Sequence, residues 1–595
     1  MNVAHLLSER ARSCGDRPAI IESVDGRNRT LTFAELESAS VRAAERLWES
    51  GLRPGDSVLV LVPMCAELYI ALSAGFRLGL VAMFLDPGAG RKHIESCCAM
   101  HPPTAFIGSP KAHWLRFISP ALRRISVRFS TGKPVFGARP LLGHLHGLLT
   151  ADDNFELAWR SAAVHGCEFG RRPAARTFVQ EWTRTGANRM AKDIPLTRPS
   201  GTLSPTGGEG WGEGVRFMES DQSLERNQIE ACDADTPALI RFTSGSTGQP
   251  KGAVRTHGFL LEQQRVIEKS LRLVAGEIDL ATLPIFVLAN LASGVTSVIP
   301  QADLRAPGAI NPGPVVQQIK ALGPQRVSAS PAFLERLADY CSQTSQQLTN
   351  FRAIFAGGAP VFPHLLDKFH DMSPAADIVA VYGSTEAEPI AQVRRDEVSD
   401  GDRTAMYNGR GLLAGKLDAA IHLRILRERS RERISGLAAA DFDVGCQRPG
   451  EPGEIVVSGP HVQPGYLHGL GDHEAKFRIN GTTWHQTGDA GYVDMLGRLW
   501  LLGRSCARIQ DERGTLYPFQ VECAAYRNRE VRRAGLVEHQ GERVLVVQPR
   551  NRVDLASLKA SLAWADIRRV KLVRRIPLDK RHNAKIDYGA LRKIL

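Results

Sequence analysis

The chain lacks the features that mark secreted, disulfide-bonded and membrane-spanning proteins. Its ten cysteines form no CxxC pair, and no uncharged apolar run reaches about 18 residues, the length that a spanning helix needs. The N-terminal residues have neither a positive segment nor the long apolar core of a signal peptide. These absences predict reduced cysteines, a cytoplasmic location and no transmembrane helix.

Two further absences limit the classes of binding partner that the sequence predicts. The sequence contains no internal repeat and no basic stretch interleaved with aromatic residues, so nucleic acid is not an expected partner. The net charge of +12 is nevertheless uneven, because residues 504–595 carry 21 Lys and Arg against 10 Asp and Glu. A peripheral contact with a membrane or a partner enzyme would use this basic tail, and a solvated basic face explains it equally well.

The rest of the composition is that of a globular protein, with 43% apolar and 23% charged residues over 595 positions. Strand and helix patterns alternate from residue 18 to about residue 135, which predicts a doubly wound α/β sheet. From Gly450 onward shorter strands and turns predict a β-rich subdomain. The expected architecture is a large N-terminal domain over 1–503 and a small, mobile α+β C-terminal domain over 504–595.

A low-complexity insert interrupts this order at about 138–230. No period holds there, and residues 199–214 are rich in Gly, Pro and Ser. We expect the insert to be dispensable for chemistry.

The strongest local motif follows the apolar run at 237–242. It combines hydroxyls, glycines and a lysine, which suit phosphate binding through backbone N–H groups and charge, at Thr243, Ser244, Gly245, Ser246, Thr247, Gly248 and Lys251. The motif is not a Walker A loop, because Pro250 stands where that loop has its second glycine. A surface turn is the alternative interpretation, since such residues are common in loops.

Two more strand patterns end in glycine-bearing loops, Gly357-Gly-Ala-Pro360 and Tyr382-Gly-Ser-Thr-Glu386. Open α/β sheets bind ligands at the carboxyl ends of their strands, so these loops are candidate binding segments. The apolar stretch 285–294 either lines an apolar pocket or forms an ordinary core helix.

Taken in order, these loops resemble those of the adenylate-forming superfamily, which includes acyl-CoA ligases, adenylation domains and luciferases. The resemblance covers about 20–135 and 235–595. It also includes Thr487-Gly-Asp489, Gly503-Arg504 and the C-terminal Lys585. The family forms an acyl-adenylate from ATP and a carboxylic acid.

The resemblance implies a role for each matching residue. The loop 243–252 would hold the β- and γ-phosphates of ATP, and Thr385 would donate to the α-phosphate. Glu386 would be the Mg²⁺ ligand. Lys585 would stabilise the charge that develops during adenylation. The nucleoside of ATP would be bound by Gly357, Gly358, Ala359, Tyr382, Gly383, Asp489 and Arg504.

Two departures from the family pattern bear on the second half-reaction. Cys506 stands where the hinge usually has Asp or Lys, and Gln510 replaces a lysine often found beyond it. Four other segments resemble β-lactone synthetases of olefin biosynthesis, in which the hydroxyl of a β-hydroxy fatty acid displaces AMP: Phe106-Ile-Gly-Ser-Pro110, Ser330-Pro-Ala-Phe-Leu334, Trp484-His-Gln-Thr-Gly-Asp489 and Arg581-His-Asn-Ala-Lys585. That resemblance implies a β-lactone product and no need for CoA. A long-chain fatty acyl-CoA ligase and a non-catalytic nucleotide-binding scaffold stay open as alternatives.

Overall fold

The computed structural model describes residues 2–85, 90–142, 229–244, 250–427, 439–579 and 584–595. The chain divides into two compact units, and the second, His144–Leu224, lies outside the described residues. Most of the expected insert, and the segment 245–249 of the expected phosphate loop, also lie outside them.

Within the described residues, strands occur along the whole chain. In chain order they are β1 Pro18–Val24, β2 Arg27–Thr32, β3 Ser57–Leu61, β4 Val81–Phe84, β5 Ala105–Gly108, β6 Val127–Ser130, β7 Arg139–Pro140, β8 Pro237–Ser244, β9 Pro250–Thr256, β10 Ile278–Ala281, β11 Thr296–Val298, β12 Arg326–Ala329, β13 Ala353–Gly357, β14 Asp377–Ser384, β15 Ala387–Arg394, β16 Leu412–Leu417, β17 His422–Leu426, β18 Gly453–Ser458, β19 Lys476–Ile479, β20 Thr482–Val493, β21 Arg498–Arg504, β22 Ile509–Asp511, β23 Gly514–Leu516, β24 Val531–His539, β25 Glu542–Pro549 and β26 Arg569–Leu572.

Helices alternate with these strands in the first two thirds of the chain. The α-helices of the described residues are α1 Ala4–Cys14, α2 Phe33–Glu49, α3 Ala66–Arg77, α4 Arg91–Met100, α5 Pro110–His113, α6 Pro120–Arg124, α7 His257–Ser270, α8 Pro284–Ser293, α9 Pro312–Leu322, α10 Pro331–Gln343, α11 Pro363–Met372, α12 Asp400–Ala405, α13 Ala439–Gly445, α14 Asp472–Ala475, α15 Pro518–Ala525, α16 Leu555–Ser561 and α17 Tyr588–Lys593.

Local sequence explains where several helices begin. Thr32 caps α2 in a capping box with Glu35, and Thr256 caps α7 by accepting from the N–H of Phe259. Ser330 caps α10, whose first residue is a proline, the residue favoured at that position. No helix in the described part of the chain is both long and apolar enough to cross a bilayer.

A seven-stranded sheet carries the hairpin of the expected phosphate loop. Its order is β7-β6-β5-β3-β4-β8-β9, and all neighbours are parallel except the pair β8 and β9. Strand β3 is buried along most of its length, as expected for a parallel strand covered on both faces. The hairpin therefore stands at the edge of a parallel sheet.

A second sheet of fourteen strands joins the expected doubly wound and β-rich parts into one layer. Its main order is β17-β18-β20-β21-β16-β15-β14-β13-β12-β10-β11-β1-β2. Pairing is parallel from β11 through β10, β12 and β13 to β14, and antiparallel from β14 to β17. The antiparallel part thus begins at Ala387, well before the expected change at Gly450.

One expected loop needs correction. Residues Tyr382–Ser384 belong to strand β14 and not to a loop, because β15 pairs back on them. Only Thr385 and Glu386 remain between the two strands.

The C-terminal residues form a small α+β arrangement, with β24, β25 and β26 in one sheet and β22 with β23 in another. Its apolar side chains divide between a cluster of its own, which includes Val544 and Ile576, and the largest core cluster of the chain. That large cluster runs from Phe362 and Leu502 into α15 at Val521. The domain boundary at 503/504 stays a prediction.

Candidate active site

The hairpin of β8 and β9 presents the first group of expected site residues. Backbone pairing places Thr243 opposite Lys251 and Ser244 opposite Pro250. Gly245, Ser246, Thr247 and Gly248 lie outside the described residues. The structure therefore positions both ends of the expected phosphate loop, and the contacts of its tip stay a prediction.

The Lys251 ammonium is held by the segment before β19. It forms an ion pair with Glu474 and lies 5.7 Å from the ring centre of Tyr466. Gly471 has φ of +98°, and a Cβ there would come 2.7 Å from Cε of Lys251. An isolated bridge between Ala253 and Tyr466 holds the segment against β9. The backbone angle thus favours glycine at position 471, and a larger residue there would displace the Lys251 side chain.

The turn between β14 and β15 carries Thr385 and Glu386. The Ser384 hydroxyl accepts from the N–H of Glu386 at 3.2 Å, which fixes the turn. Tyr466 donates its hydroxyl to Glu386 Oε1 at 3.0 Å. Arg255 donates from Nη2 to the carbonyl of Thr385 at 2.8 Å. The turn is thereby anchored from β9 on one side and from the Tyr466 segment on the other.

Glu386 is an ionised carboxylate in a buried position. Burial alone would raise its pKa, but the Lys476 ammonium and the hydrogen bond from the Tyr466 hydroxyl lower it. Burial lowers the pKa of Lys476 to about 8 and that of His485 to about 3. The imidazole is therefore neutral near pH 7, and the Lys476 ammonium supplies the favourable charge. An ionised carboxylate with one oxygen free of Tyr466 fits the hard-oxygen preference of Mg²⁺.

Asp489 lies within β20 and is held from two sides. Tyr382 donates its hydroxyl to Oδ2 at 2.9 Å, and Arg504 donates from Nη1 to Oδ1 at 3.0 Å. Arg504 also donates to the carbonyl of Thr487 at 3.0 Å. Because a carboxylate offers about four acceptor sites, each oxygen of Asp489 retains a lone pair for a further donor.

The glycine loop after β13 lies beside this network. Gly357 pairs with Val381 on the neighbouring parallel strand, one residue before Tyr382. Gly358 has φ of +84°, a conformation that favours glycine. Ala359 follows in the same loop, and a Cβ on Gly383 would meet the carbonyl of Ala387 at 3.1 Å. The loop after β13 and the turn after β14 thus lie at the carboxyl ends of neighbouring parallel strands, as the strand pattern predicted.

Lys585 reaches the same region from the C-terminal part of the chain. Its backbone N–H donates to Asp579 Oδ1 at 2.9 Å, and its carbonyl accepts from the N–H of Asp579 at 2.8 Å. The Lys585 side chain is exposed, and burial raises the pKa of the nearby Glu388 carboxyl while the charges of Arg255, Arg241 and Lys585 partly oppose that rise. The structure therefore brings Lys585 to the neighbourhood of the turn at Glu386.

The stretch 285–294 forms α8 and borders an apolar cavity. The cavity has a volume of about 60 Å³, and α1, α3 and α7 complete its walls. Ile285, Leu288 and Ala292 contribute to its lining. The two interpretations of this stretch therefore both apply, because α8 packs as a core helix and lines an apolar pocket.

Several residues of the site were missed by the sequence reasoning. Tyr466 contacts Glu386, Lys476 sets its charge, and Arg255 holds the carbonyl of Thr385. Tyr466 had a weak signal, since it ends the turn-like run Gln463-Pro-Gly-Tyr466. Lys476 and Arg255 had none, because nothing in their local pattern separates them from other basic residues.

Comparison with known proteins gives these residues a family context. The model of the family described as "AMP-binding enzyme" matches residues 7–467. The olefin β-lactone synthetase of Xanthomonas campestris pv. campestris is 29% identical, over 94% of this chain and 89% of that protein. The protein of the same name from Stenotrophomonas maltophilia is 28% identical, over 98% and 96%.

Further matches include enzymes named as CoA ligases and CoA synthetases. The indoleacetate–CoA ligase of Aromatoleum aromaticum is 30% identical over 52% of this chain and 55% of its own length. Among solved structures, o-succinylbenzoate CoA synthetase of Bacillus subtilis, in complex with ATP and a magnesium ion, superposes with a TM-score of 0.66. It is 21% identical over 99% of this chain and 98% of its own, a likeness that confirms the α/β fold. The chain therefore belongs to the AMP-binding enzyme family and is an adenylate-forming enzyme.

Proposed function

We propose that the enzyme adenylates a long-chain β-hydroxy acid with ATP and Mg²⁺ and closes the product to a β-lactone. Pyrophosphate and AMP are the other products. The observation that carries the adenylation step is the convergence of Glu386, Asp489 and Lys585 around one edge of the large sheet. These residues come from three distant parts of the chain. Glu386 suits the metal ion that accompanies ATP, Asp489 suits the ribose hydroxyls, and Lys585 suits the charge at the phosphate.

In the first half-reaction a carboxylate oxygen of the acid attacks the α-phosphorus, and pyrophosphate leaves. Asp489 accepts hydrogen bonds from the ribose hydroxyls with its remaining lone pairs. Lys251 and the loop 243–248 hold the departing phosphates. Lys585 stabilises the charge that passes between carboxylate and phosphate, which is the kind of interaction that accelerates such transfers most.

Mg²⁺ fits the site through Glu386. When bound, the ion neutralises charge on the phosphate oxygens. Lys476 and Tyr466 serve this role by keeping the carboxylate ionised and its orientation fixed. Both residues would then act through Glu386 and make no contact with the phosphates.

In the second half-reaction the hydroxyl of the acid attacks the acyl carbon and AMP leaves. Two observations support this ending over transfer to a thiol. The hinge carries Cys506 and Gln510 in place of the charged residues seen in thioester-forming relatives. The two relatives that match nearly the whole chain are named olefin β-lactone synthetases.

A fatty acyl-CoA ligase is the second candidate, favoured by matches such as the indoleacetate–CoA ligase. The two activities differ in one requirement, which is the thiol. Incubation with ATP, Mg²⁺ and a 3-hydroxy fatty acid, with and without CoA, separates them. AMP release with lactone formation in the absence of CoA supports our proposal, and strict dependence on CoA supports the ligase.

The adenylation step has its own test. We expect Lys585→Ala to lower ATP–pyrophosphate exchange by about 10²–10³-fold, the usual cost of removing a charge-stabilising group. Lys593→Ala is a matched control, because Lys593 is another basic residue of the C-terminal segment, in α17. If the wild type shows no exchange with any fatty acid, the protein binds nucleotide without this catalysis, and the scaffold alternative is correct.

A further inference from the structure

Four large apolar side chains are exposed in two neighbouring segments of the N-terminal region. Trp114 is 72% exposed, Phe117 64%, Ile118 53% and Phe136 95%. The first three lie between α5 and α6, and Phe136 lies in the turn between β6 and β7. One exposed apolar side chain is ordinary on a protein surface, but a group of large ones is typical of an interaction site.

Arg116 connects the two segments. Its side chain donates from Nη2 to the carbonyl of Phe136 at 2.8 Å and from Nη1 to the carbonyl of Gly137 at 3.2 Å. The ring centres of Trp114 and Phe117 lie 5.6 Å apart. The four exposed side chains therefore belong to one surface, which we name the apolar patch.

The segment between α5 and α6 reverses the usual placement of polar and apolar side chains. Arg116 is only 8% exposed, and the buried His113 ring donates from Nε2 to the carbonyl of Phe129 in β6 at 3.0 Å. The larger apolar side chains beside them face outward. Burying an arginine while exposing its aromatic neighbours is unfavourable in water. The arrangement becomes favourable when the apolar patch enters a second apolar environment.

The surroundings of the apolar patch are basic. Residues 101–142 contain seven Lys and Arg and no Asp or Glu. Asp303 is a nearby acid from outside this segment, and it lies close to Lys111. The exposed basic residues of the segment are Lys111, Arg123, Arg124, Lys133 and Arg139. The binding partner is therefore expected to combine apolar material with negative charge.

An anionic lipid surface has both properties. Aromatic and aliphatic side chains enter the boundary between headgroups and acyl chains, and each Lys or Arg near the surface strengthens binding about five-fold. A side chain as exposed as Phe136, in a turn, can penetrate a soft surface. The flat and closely complementary core of a protein interface suits it less well.

The apolar patch is separate from the active site. It adjoins β6 and β7, which form one edge of the seven-stranded sheet, whereas the hairpin of β8 and β9 forms the other edge. A contact at the apolar patch therefore leaves the expected phosphate loop free to bind ATP.

We infer that the enzyme docks on anionic membrane surfaces through Trp114, Phe117, Ile118 and Phe136, with the basic residues around them binding the lipid headgroups. This assigns the peripheral contact to the N-terminal region and not to the basic residues of 504–595. The inference does not depend on which acyl acceptor ends the reaction.

Vesicle flotation of the full chain tests the docking. One set of vesicles contains phosphatidylcholine alone, and the other contains equal amounts of phosphatidylcholine and phosphatidylglycerol. The wild type should bind the anionic vesicles at least ten-fold more tightly, and added salt should weaken that binding by screening. If the wild type binds neither kind of vesicle, a protein surface or another part of the chain covers the apolar patch, and the inference is wrong.

The apolar contribution is tested by replacing two exposed rings. The double variant Phe117→Ser with Phe136→Ser should bind anionic vesicles at least ten-fold more weakly. Met495→Ser with Leu496→Ser is the matched control, because these side chains are exposed to a similar degree in the turn between β20 and β21. It should bind as the wild type does. Equal binding of the two double variants would overturn the assignment.

The basic contribution is tested by reversing two charges. Arg124→Glu with Lys133→Glu should weaken binding to anionic vesicles at least ten-fold, since each basic residue contributes about five-fold and the new carboxylates repel the headgroups. Arg574→Glu with Arg575→Glu changes the net charge equally in the exposed C-terminal region and should have little effect. If only the C-terminal variant loses binding, the basic tail makes the contact and the inference is wrong.

Failure of this inference is distinguishable from failure of the proposed function. ATP–pyrophosphate exchange with a short, water-soluble acid should be equal in all these variants, and a thermal melt verifies that each folds. Vesicle binding that is lost in both patch variants supports docking even if no lactone forms. Lactone formation by a wild type that binds no vesicles keeps the proposed function and contradicts the docking.

Discussion

The hydroxyl of Tyr466 donates a 3.0 Å hydrogen bond to Oε1 of Glu386, across 80 residues of sequence. The same ring lies 5.7 Å from the Lys251 ammonium and 5.9 Å from that of Lys476. Tyr466 thus contacts both Lys251, the expected phosphate-binding lysine, and Glu386, the expected magnesium ligand. Its position explains why two motifs far apart in the sequence meet in one site.

Tyr466→Phe tests that connection. Loss of the hydrogen bond should release the Glu386 carboxylate from its fixed orientation and so weaken the site for Mg²⁺, and a bond to a charged group contributes about 1.5–3 kcal/mol. We therefore expect the Mg²⁺ concentration for half-maximal ATP–pyrophosphate exchange to rise about ten-fold. Tyr492→Phe removes a comparable hydroxyl, bonded to the carbonyl of Arg410, and should leave it unchanged. An unaltered Mg²⁺ requirement in Tyr466→Phe would contradict the role assigned to Tyr466.

Gly471→Ala tests how the Lys251 ammonium is held. The new Cβ would meet Lys251 at less than 3 Å on a backbone with φ of +98°, so the lysine must move. We expect exchange activity to fall at least ten-fold, together with a loss of stability of about 1–2 kcal/mol from the left-handed backbone.

Gly450→Ala is its matched control. Gly450 has a similar φ of +87°, and no atom lies within 4 Å of the position that an alanine Cβ would take there. It should show the loss of stability in urea denaturation without the loss of activity. If the two variants are equally active, glycine at position 471 is not needed to position the Lys251 ammonium.

The burial of His257 predicts that the protein loses stability as the pH decreases. Its ring is fully buried, Nδ1 accepts from the N–H of Val3 at 3.2 Å, and burial lowers its pKa to about 4. Between pH 6.5 and pH 4 the unfolded chain binds a proton at this residue that the native chain does not. Stability therefore falls as pH decreases through that window, by up to about 1.4 kcal/mol per pH unit for one proton.

His257→Asn should reduce this slope, because the amide oxygen can still accept from Val3 and does not titrate. Urea unfolding at about pH 6.5, 5.5 and 4.5 measures it. His364 and His485, each with a pKa lowered by burial to about 3, contribute with the same sign, so some slope remains. An identical slope in variant and wild type would refute the assignment to His257.

Ion pairs of Glu335 in α10 connect the C-terminal region with the preceding part of the chain. Its buried carboxylate contacts Arg533 in β24 at 3.4 Å and Arg550, which directly follows β25, at 3.5 Å. Glu335→Gln should loosen this contact, speed proteolysis near residue 504, and lower kcat for exchange about ten-fold through misplacement of Lys585. Glu397→Gln, which breaks an ion pair with the exposed Lys416, is the control. Unchanged proteolysis and kcat would contradict the prediction.

Much of the fold was predictable from local pattern. The continuous apolar run at Ser57–Leu61 and the alternation around it indicated a parallel sheet, and the structure has one. The union of the parallel and antiparallel strands in one sheet was not predictable. It depends on the long-range pairing of β15 with β16, which leaves no local periodicity.

The residues of the site also divide into those that the sequence predicted and those that it could not. Thr385, Glu386 and Asp489 stand in glycine-bearing motifs whose composition signals ligand binding, and the structure places them along one sheet edge. Arg255 and Lys476 could not be found, because their importance comes from burial beside partners that are distant in sequence. Burial of a charged side chain is a property of packing, and no local pattern encodes it.

The fate of the carboxylate oxygens tests the central claim most directly. A 3-hydroxy fatty acid with ¹⁸O in both carboxyl oxygens is incubated with the enzyme, ATP and Mg²⁺ without CoA, and the products are analysed by mass spectrometry. Attack of the carboxylate on the α-phosphorus followed by closure by the hydroxyl predicts one ¹⁸O in AMP and one in the carbonyl of the lactone. AMP without ¹⁸O, or no lactone until CoA is added, would contradict the account.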